Sequence, residues 1–132
     1  MTGPDIELAI AAALDKKAEN LVVLDLREIS SFTDFFLICH GTSRRQVQAI
    51  ADAIGEELDP SVRRNPRVEG YSEGGWVLMD YLDFVVHVFT SEKREFFNLE
   101  KLWGDAPRRI VTDDAASARP RRRVASRGPA DD

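Results

Sequence analysis

One short turn is placed where an anion could be held: Gly41-Thr42-Ser43 lies between a β-rich run and an amphipathic stretch. Amides at such a strand-to-helix turn can point at a phosphate. Phosphoryl or nucleotidyl transfer needs more, because metal-binding carboxylates must stand together beside the phosphates. No Asp-x-Asp pair follows the turn, and Asp80 and Asp83 are spaced to flank a turn of their own. The residues therefore point to a helix cap, with a nucleotidyltransferase-like nucleotide-binding enzyme as the alternative. Nucleophilic chemistry has less to draw on. His40 ends a β-rich run with no residue spaced to complete a triad. His87, inside Val85-Val86-His87-Val88-Phe89, reads as a sheet residue, and Cys39 as a buried, inert thiol. One cysteine and two histidines make neither an internal disulfide nor a structural zinc site. No metal, cofactor or catalytic residue is expected.

The segment Gly75 to Asp83 says more. If Trp76 to Tyr81 is a strand, its two-residue period puts Trp76, Leu78 and Asp80 on one face and Val77, Met79 and Tyr81 on the other. An unpaired Asp80 costs too much to bury, so its face is expected to be wet. Trp76 and Leu78 would then be large apolar groups on a solvent-facing surface, the composition of a protein-binding hot spot. The alternative is that a helix, or the second subunit of a homodimer, covers this face and makes Trp76 core. The nearby acids Glu69, Glu73, Asp80 and Asp83 favour a basic protein partner.

These residues need elements to hold them. Asp5 to Lys17 carries Ile6, Ala9, Ile10, Ala13 and Leu14 at helical spacing. Leu21 to Leu26 and Phe35 to Cys39 read as two strands around the turn-like run Ser30 to Asp34. Ser43 and Gln46 have capping-box spacing ahead of the stripe Val47, Ile50, Ala51, Ile54 and Leu58. Pro60 and Pro66 bracket a loop, followed by strands at Arg67 to Glu69, Trp76 to Tyr81 and Phe84 to Thr90. A last short helix is expected from Ser91 to Trp103, stopped by Gly104 and Pro107. The order α-β-β-α-β-β-β-α implies an α/β (α+β) fold, a mixed sheet of about five strands with helices on one face.

The 132 residues suit one domain. We expect it over 1–107, with a disordered, arginine-rich tail over 108–132, because the tail has too little apolar surface to offset ordering entropy. Of 18 basic and 23 acidic residues, seven arginines and five aspartates lie from Asp105 onward, which leaves an acidic body of 11 basic and 18 acidic residues. Such a body would seek a basic surface rather than bare phosphate, while Arg119-Pro120-Arg121-Arg122-Arg123 could make weak nucleic-acid contact. The longest apolar stretches fall far short of the roughly 20 residues that span a bilayer. No basic-then-apolar leader opens the chain, so a cytoplasmic location and no membrane partner are expected.

A set of motifs then falls into a known order: Lys16-Lys17-Ala18, Ser30-Ser31-Phe32-Thr33-Asp34-Phe35-Phe36, Gly41-Thr42-Ser43, Arg45-Gln46-Val47, Val68-Glu69-Gly70, Gly75 to Tyr81, His87-Val88-Phe89-Thr90 and Leu102-Trp103-Gly104-Asp105. From about Ile6 to Pro107 the chain resembles the ribosomal silencing factor (Iojap-like) family. The resemblance implies a nucleotidyltransferase-like fold without transferase activity, homodimerisation, and binding to ribosomal protein L14 of the large subunit. It further implies that the bound factor blocks joining of the small subunit and represses translation when nutrients are scarce. Its contact surface maps onto Trp76, Leu78, Asp80 and Tyr81, with Glu69 and Glu73 as acidic neighbours. The tail lies outside the resemblance, where weak ribosomal RNA contact is the sharper option. Two departures stand out. Leu82 replaces a usual turn glycine, which puts a tight turn needing positive φ in question, and Cys39-His40 replaces smaller residues.

Overall fold

The computed structural model describes residues 3–62 and 66–111 of the chain. The elements are α1 (Pro4–Asp15), β1 (Glu19–Asp25), β2 (Phe35–Gly41), α2 (Arg44–Val62), β3 (Arg67–Glu69), β4 (Trp76–Asp80), β5 (Phe84–Thr90), α3 (Ser91–Phe97), α4 (Leu99–Leu102) and β6 (Arg108–Val111). The strands form one sheet in the order β3-β4-β5-β2-β1-β6. β2 and β5 are parallel, joined by a crossover that contains α2, and all other neighbours are antiparallel. A mixed α+β sheet is thus present as expected. Among the described residues no helix is long and apolar enough to cross a membrane.

The two long helices, α1 and α2, bury the stripes their spacing demands. In α1, Gly3 is the N-cap, a proline opens the first turn with Asp5 and Glu7 behind it, and Ile6, Ala9, Ile10 and Ala13 are buried. Acids there complement the helix dipole, and proline suits a position whose amide would be unpaired anyway. Val47, Ile50, Ala51, Ile54 and Leu58 of α2 meet that stripe and one sheet face: Leu21, Val23, Leu37, Cys39, Val77, Met79, Val86 and Val88. Each large apolar side chain so buried contributes on the order of 1.5–3 kcal/mol. The opposite sheet face carries a second, smaller core of Val22, Leu24, Phe36, Ile38, Val85 and Phe89, closed by Leu99 and Ala106. Helices therefore lie on both faces, not one, because α3 and α4 fold back across the second.

Three further expectations are corrected. The sheet has six strands, since Arg108–Val111 pairs antiparallel with β1 (Leu21 opposite Val111). The folded unit consequently runs past 107. Three of the four β6 residues are exposed, so no apolar alternation announces this edge strand; the open hydrogen-bonding edge of β1 recruits it. The helix expected across Ser91 to Trp103 is broken at Asn98, whose left-handed conformation (φ 46°) ends α3 while its side chain caps α4. The tail from 112 onward, with Arg119 to Arg127, lies outside the described residues, as do 63–65 between the two prolines.

The β4–β5 turn closes despite its missing glycine. Leu82 takes φ 76°, the Asp83 amide donates to the Tyr81 carbonyl at 2.9 Å, and the Leu82 amide donates to Asp80 Oδ1 at 2.8 Å. A leucine at the centre of such a γ-turn is strained. Its side chain is 65% exposed, so little packing offsets that strain. Leu82→Gly should raise stability by about 0.5–1 kcal/mol, the relieved left-handed strain less the entropic cost of glycine. Denaturant unfolding with an unchanged or lower midpoint would show that the turn is not strained.

Candidate functional site

The half-covered second face of the sheet is the candidate site. Along β4 exposure alternates, with Trp76, Leu78 and Asp80 partly exposed and Val77 and Met79 buried, which is the period-two division expected. What the period could not give is the covering. Trp76 is only partly open to solvent and is held from inside: its Nε1 donates to Nδ1 of His87 at 3.1 Å, and its ring stacks on Phe89 with centroids 5.0 Å apart and meets Phe97 of α3 at 4.6 Å. Both earlier alternatives are thus half right. A helix reaches the indole, yet leaves part of it and of Leu78 free.

Three of the four acids are less available than their number implied. Asp80 spends one oxygen on the Leu82 amide. Glu69, beside Leu78 in the register, pairs with Arg67 at 3.3 Å, an exposed pair of small energetic weight. Glu73 stands at the rim of a cavity with Arg44 and Lys93. Tyr81 requires a correction: it is 1% exposed and stacks on Phe84 at 5.1 Å within the first core. It cannot touch a partner while the fold is intact, because it lies on the opposite side from Trp76.

Sequence reasoning missed the residues that extend this face. Phe96 is 77% exposed, Leu102 73% and Phe32 64%. Rings in contact connect Phe96, Phe97, Trp76, His87, Phe36, Trp103 and Phe32 in one chain. This chain of rings runs through the buried His87 and Phe36 and ends on the exposed rings of Phe96 and Phe32; large exposed apolar groups of this kind make a candidate interaction surface. The signal available was the adjacent pair Phe96-Phe97, since both cannot face inward from a one-layer helix.

Arg94 positions α3 and α4. Its guanidinium, nearly buried, bonds Glu100 of α4, His40 Nδ1 at 3.0 Å and the Glu19 carbonyl at 3.4 Å. His40, whose Nε2 faces Glu19 at 3.3 Å, is thereby a structural acceptor; burial first, then the Arg94 charge, lowers its pKa. Burial pushes the Cys39 thiol up to about 12, leaving it unreactive at neutral pH.

The Gly-Thr-Ser turn is already filled. Gln46 Oε1 accepts from the Thr42 amide at 2.7 Å and from its hydroxyl at 2.9 Å. The side-chain Nε2 of Gln46 donates back to the carbonyls of Lys16 and Lys17. Ser43 Oγ accepts from the Gln46 amide at 3.1 Å, so the turn is a capping device. A phosphate at the Thr42 amide would first have to displace this side chain.

Comparison with known proteins agrees with the sequence resemblance. The family model described as "Ribosomal silencing factor during starvation" matches residues 3–131, a span that runs past Pro107 into the arginine-rich end. The chain is 50% identical to the ribosomal silencing factor of Bacillus subtilis (strain 168) over 102 residues, covering 77% of this chain and 86% of that one. A crystal structure from Bacillus halodurans superposes with a TM-score of 0.70 at 46% identity, covering 80% of this chain and 96% of that one. A more distant relative is the mouse protein named "Mitochondrial assembly of ribosomal large subunit protein 1", 28% identical over 106 residues, covering 75% of this chain and 45% of that one.

The geometry at His87 sets a pH dependence. Because the Trp76 N–H needs an acceptor, Nδ1 must stay unprotonated, and burial lowers the pKa from 6.5 to about 4. Above 6.5 neither folded nor unfolded chain holds this proton; as pH falls below 6.5 the unfolded chain takes it up first. Stability should therefore fall by up to about 1.4 kcal/mol per pH unit per such group between 6.5 and 5. His87→Gln keeps an acceptor without a titrating ring and should flatten the profile. Urea midpoints that stay level for the wild type over this window would refute a neutral buried imidazole.

Proposed function

The chain belongs to the ribosomal silencing factor family, and on that premise we propose that it binds the large ribosomal subunit through ribosomal protein L14 and blocks association with the small subunit. The half-covered aromatic face carries this reading. Trp76 and Leu78 supply the apolar anchor, and the exposed rings of Phe96 and Phe32 widen it. Asp80, Glu69 and Glu73 form a polar rim, the arrangement of a core-and-rim protein interface. In the free protein a second copy covers the same face as a homodimer, since an apolar surface of this extent favours a partner.

The mechanism is occupancy, not catalysis. The filled Gly-Thr-Ser turn is consistent with a nucleotidyltransferase-like arrangement whose anion position has become structural. A bound body at the joining face need only overlap the volume of the small subunit. Each large subunit so occupied leaves the joining equilibrium in proportion to factor concentration over Kd. Submicromolar affinity, about 8 kcal/mol or better, suffices at modest cellular abundance. Translation in the cytoplasm would fall accordingly under nutrient limitation.

Trp76→Ala should weaken binding to purified large subunits by roughly 2–4 kcal/mol and restore subunit joining in sedimentation. Since this change also removes internal stacking, Leu102→Ser serves beside it. That residue is 73% exposed, so its loss of about 1–2 kcal/mol in binding would come with unchanged unfolding. Wild-type co-sedimentation by both variants would show that the partner docks elsewhere.

A further inference from the structure

The unabsorbed feature of the docking face is cationic. Three elements converge beside Trp76 on a cavity of about 410 Å³ lined by Arg44, Glu73, Gly75, Trp76, Lys93 and Phe97. Their convergence depends on the missing side chain of Gly74, held at φ 74°, while Gly75 lies in ordinary contact with Lys93. A Cβ on Gly74 would lie 3.0 Å from Arg44 Cβ, and one on Gly75 would lie 3.4 Å from Lys93 Cε. The aliphatic stems of both cations thus rest across the glycine pair, one from α2 and one from α3. Both residues are exposed, and no ion pair to either is found among the described residues. Arg44 also stands in the first turn of α2, which has no acid of its own, where the helix dipole disfavours a cation. Nothing within the fold explains that placement.

Resting on the docking role proposed above, we propose that this cavity receives a single carboxylate side chain of the protein partner, gripped by Arg44 and Lys93 over the Trp76 and Phe97 rings. The charge count selects the occupant. Glu73 leaves the cavity with a net of one positive charge, enough for one aspartate or glutamate whose methylene groups lie on the aromatic floor. An RNA strand would bring a phosphate with every nucleotide past Glu69 and Asp80 of the same face, where successive charges are repelled. The face therefore reads two signs: acids on the rim and one cationic socket beside the indole, a pattern that sets register as well as affinity.

The test uses Arg44→Glu, Lys93→Glu and the double variant in the full chain. Both substitutions put an acid in the first turn of a helix, where the dipole favours it, so thermal stability should hold or rise. Titration against purified large subunits and, separately, against isolated ribosomal protein L14 should show each single reversal weakening both interactions by about tenfold or more, with Lys93→Met weakening them less. Unchanged affinity of the double variant for the isolated protein overturns the socket, and so does weakening seen only with the RNA-containing particle, which would assign the cations to phosphate. Failure of the wild type to bind either target would instead overturn the docking role itself.

Discussion

A hydrogen bond between two rings governs the working half of this molecule. The indole N–H of Trp76 has one acceptor, Nδ1 of a histidine that is 3% exposed, and that acceptor exists only while the imidazole is neutral. Satisfying the N–H from inside frees the rest of the indole from any need for water. Trp76 can therefore stand half-buried with fixed orientation, stacked on Phe89 and held by Phe97. A side chain fixed in this way would lose little side-chain entropy in any contact it made. The cost falls on His87 Nε2, buried with no hydrogen-bond partner among the described residues, beside the Phe36 ring at 4.4 Å.

The rest of the fold maintains that arrangement. Arg94 ties α3 to α4 and to the ends of β1 and β2, so Phe97 stays against the indole. Gly70, at φ 81°, lets β3 turn toward β4 where any Cβ would sit 2.0 Å from the Trp76 carbonyl. On the far side of the sheet, Gln46 joins the start of α2 to the α1–β1 turn. The position that could have held an anion is thus used to lock the layers together. The polar groups at these positions are spent on holding the layers together.

Charge on the docking face is balanced locally, not simply acidic. Arg67 offsets Glu69, Asp80 is committed to its turn, and Glu73 faces two cations. The net charge of −5 of the whole chain acts over distances of about a Debye length, whereas the charges on this face act at contact range.

What the sequence determined by itself was whatever follows from chain-local period and stereochemistry: the stripes of α1 and α2, the capping of α2 by Ser43, and the division of Trp76, Leu78 and Asp80 from Val77 and Met79. Motif order carried the family as well. Tertiary structure alone decided which atoms covered those faces. Tyr81 follows its period into the first core, against the contact role the resemblance implied; Phe96 and Leu102 belong to helical periods yet lie open. Arg108–Val111 becomes a strand only because β1 has an unpaired edge, and Leu82 accepts positive φ only because the hairpin around it must close. Period tells which way a side chain points; what lies in that direction is set by contacts between residues far apart in the chain, which no local pattern encodes.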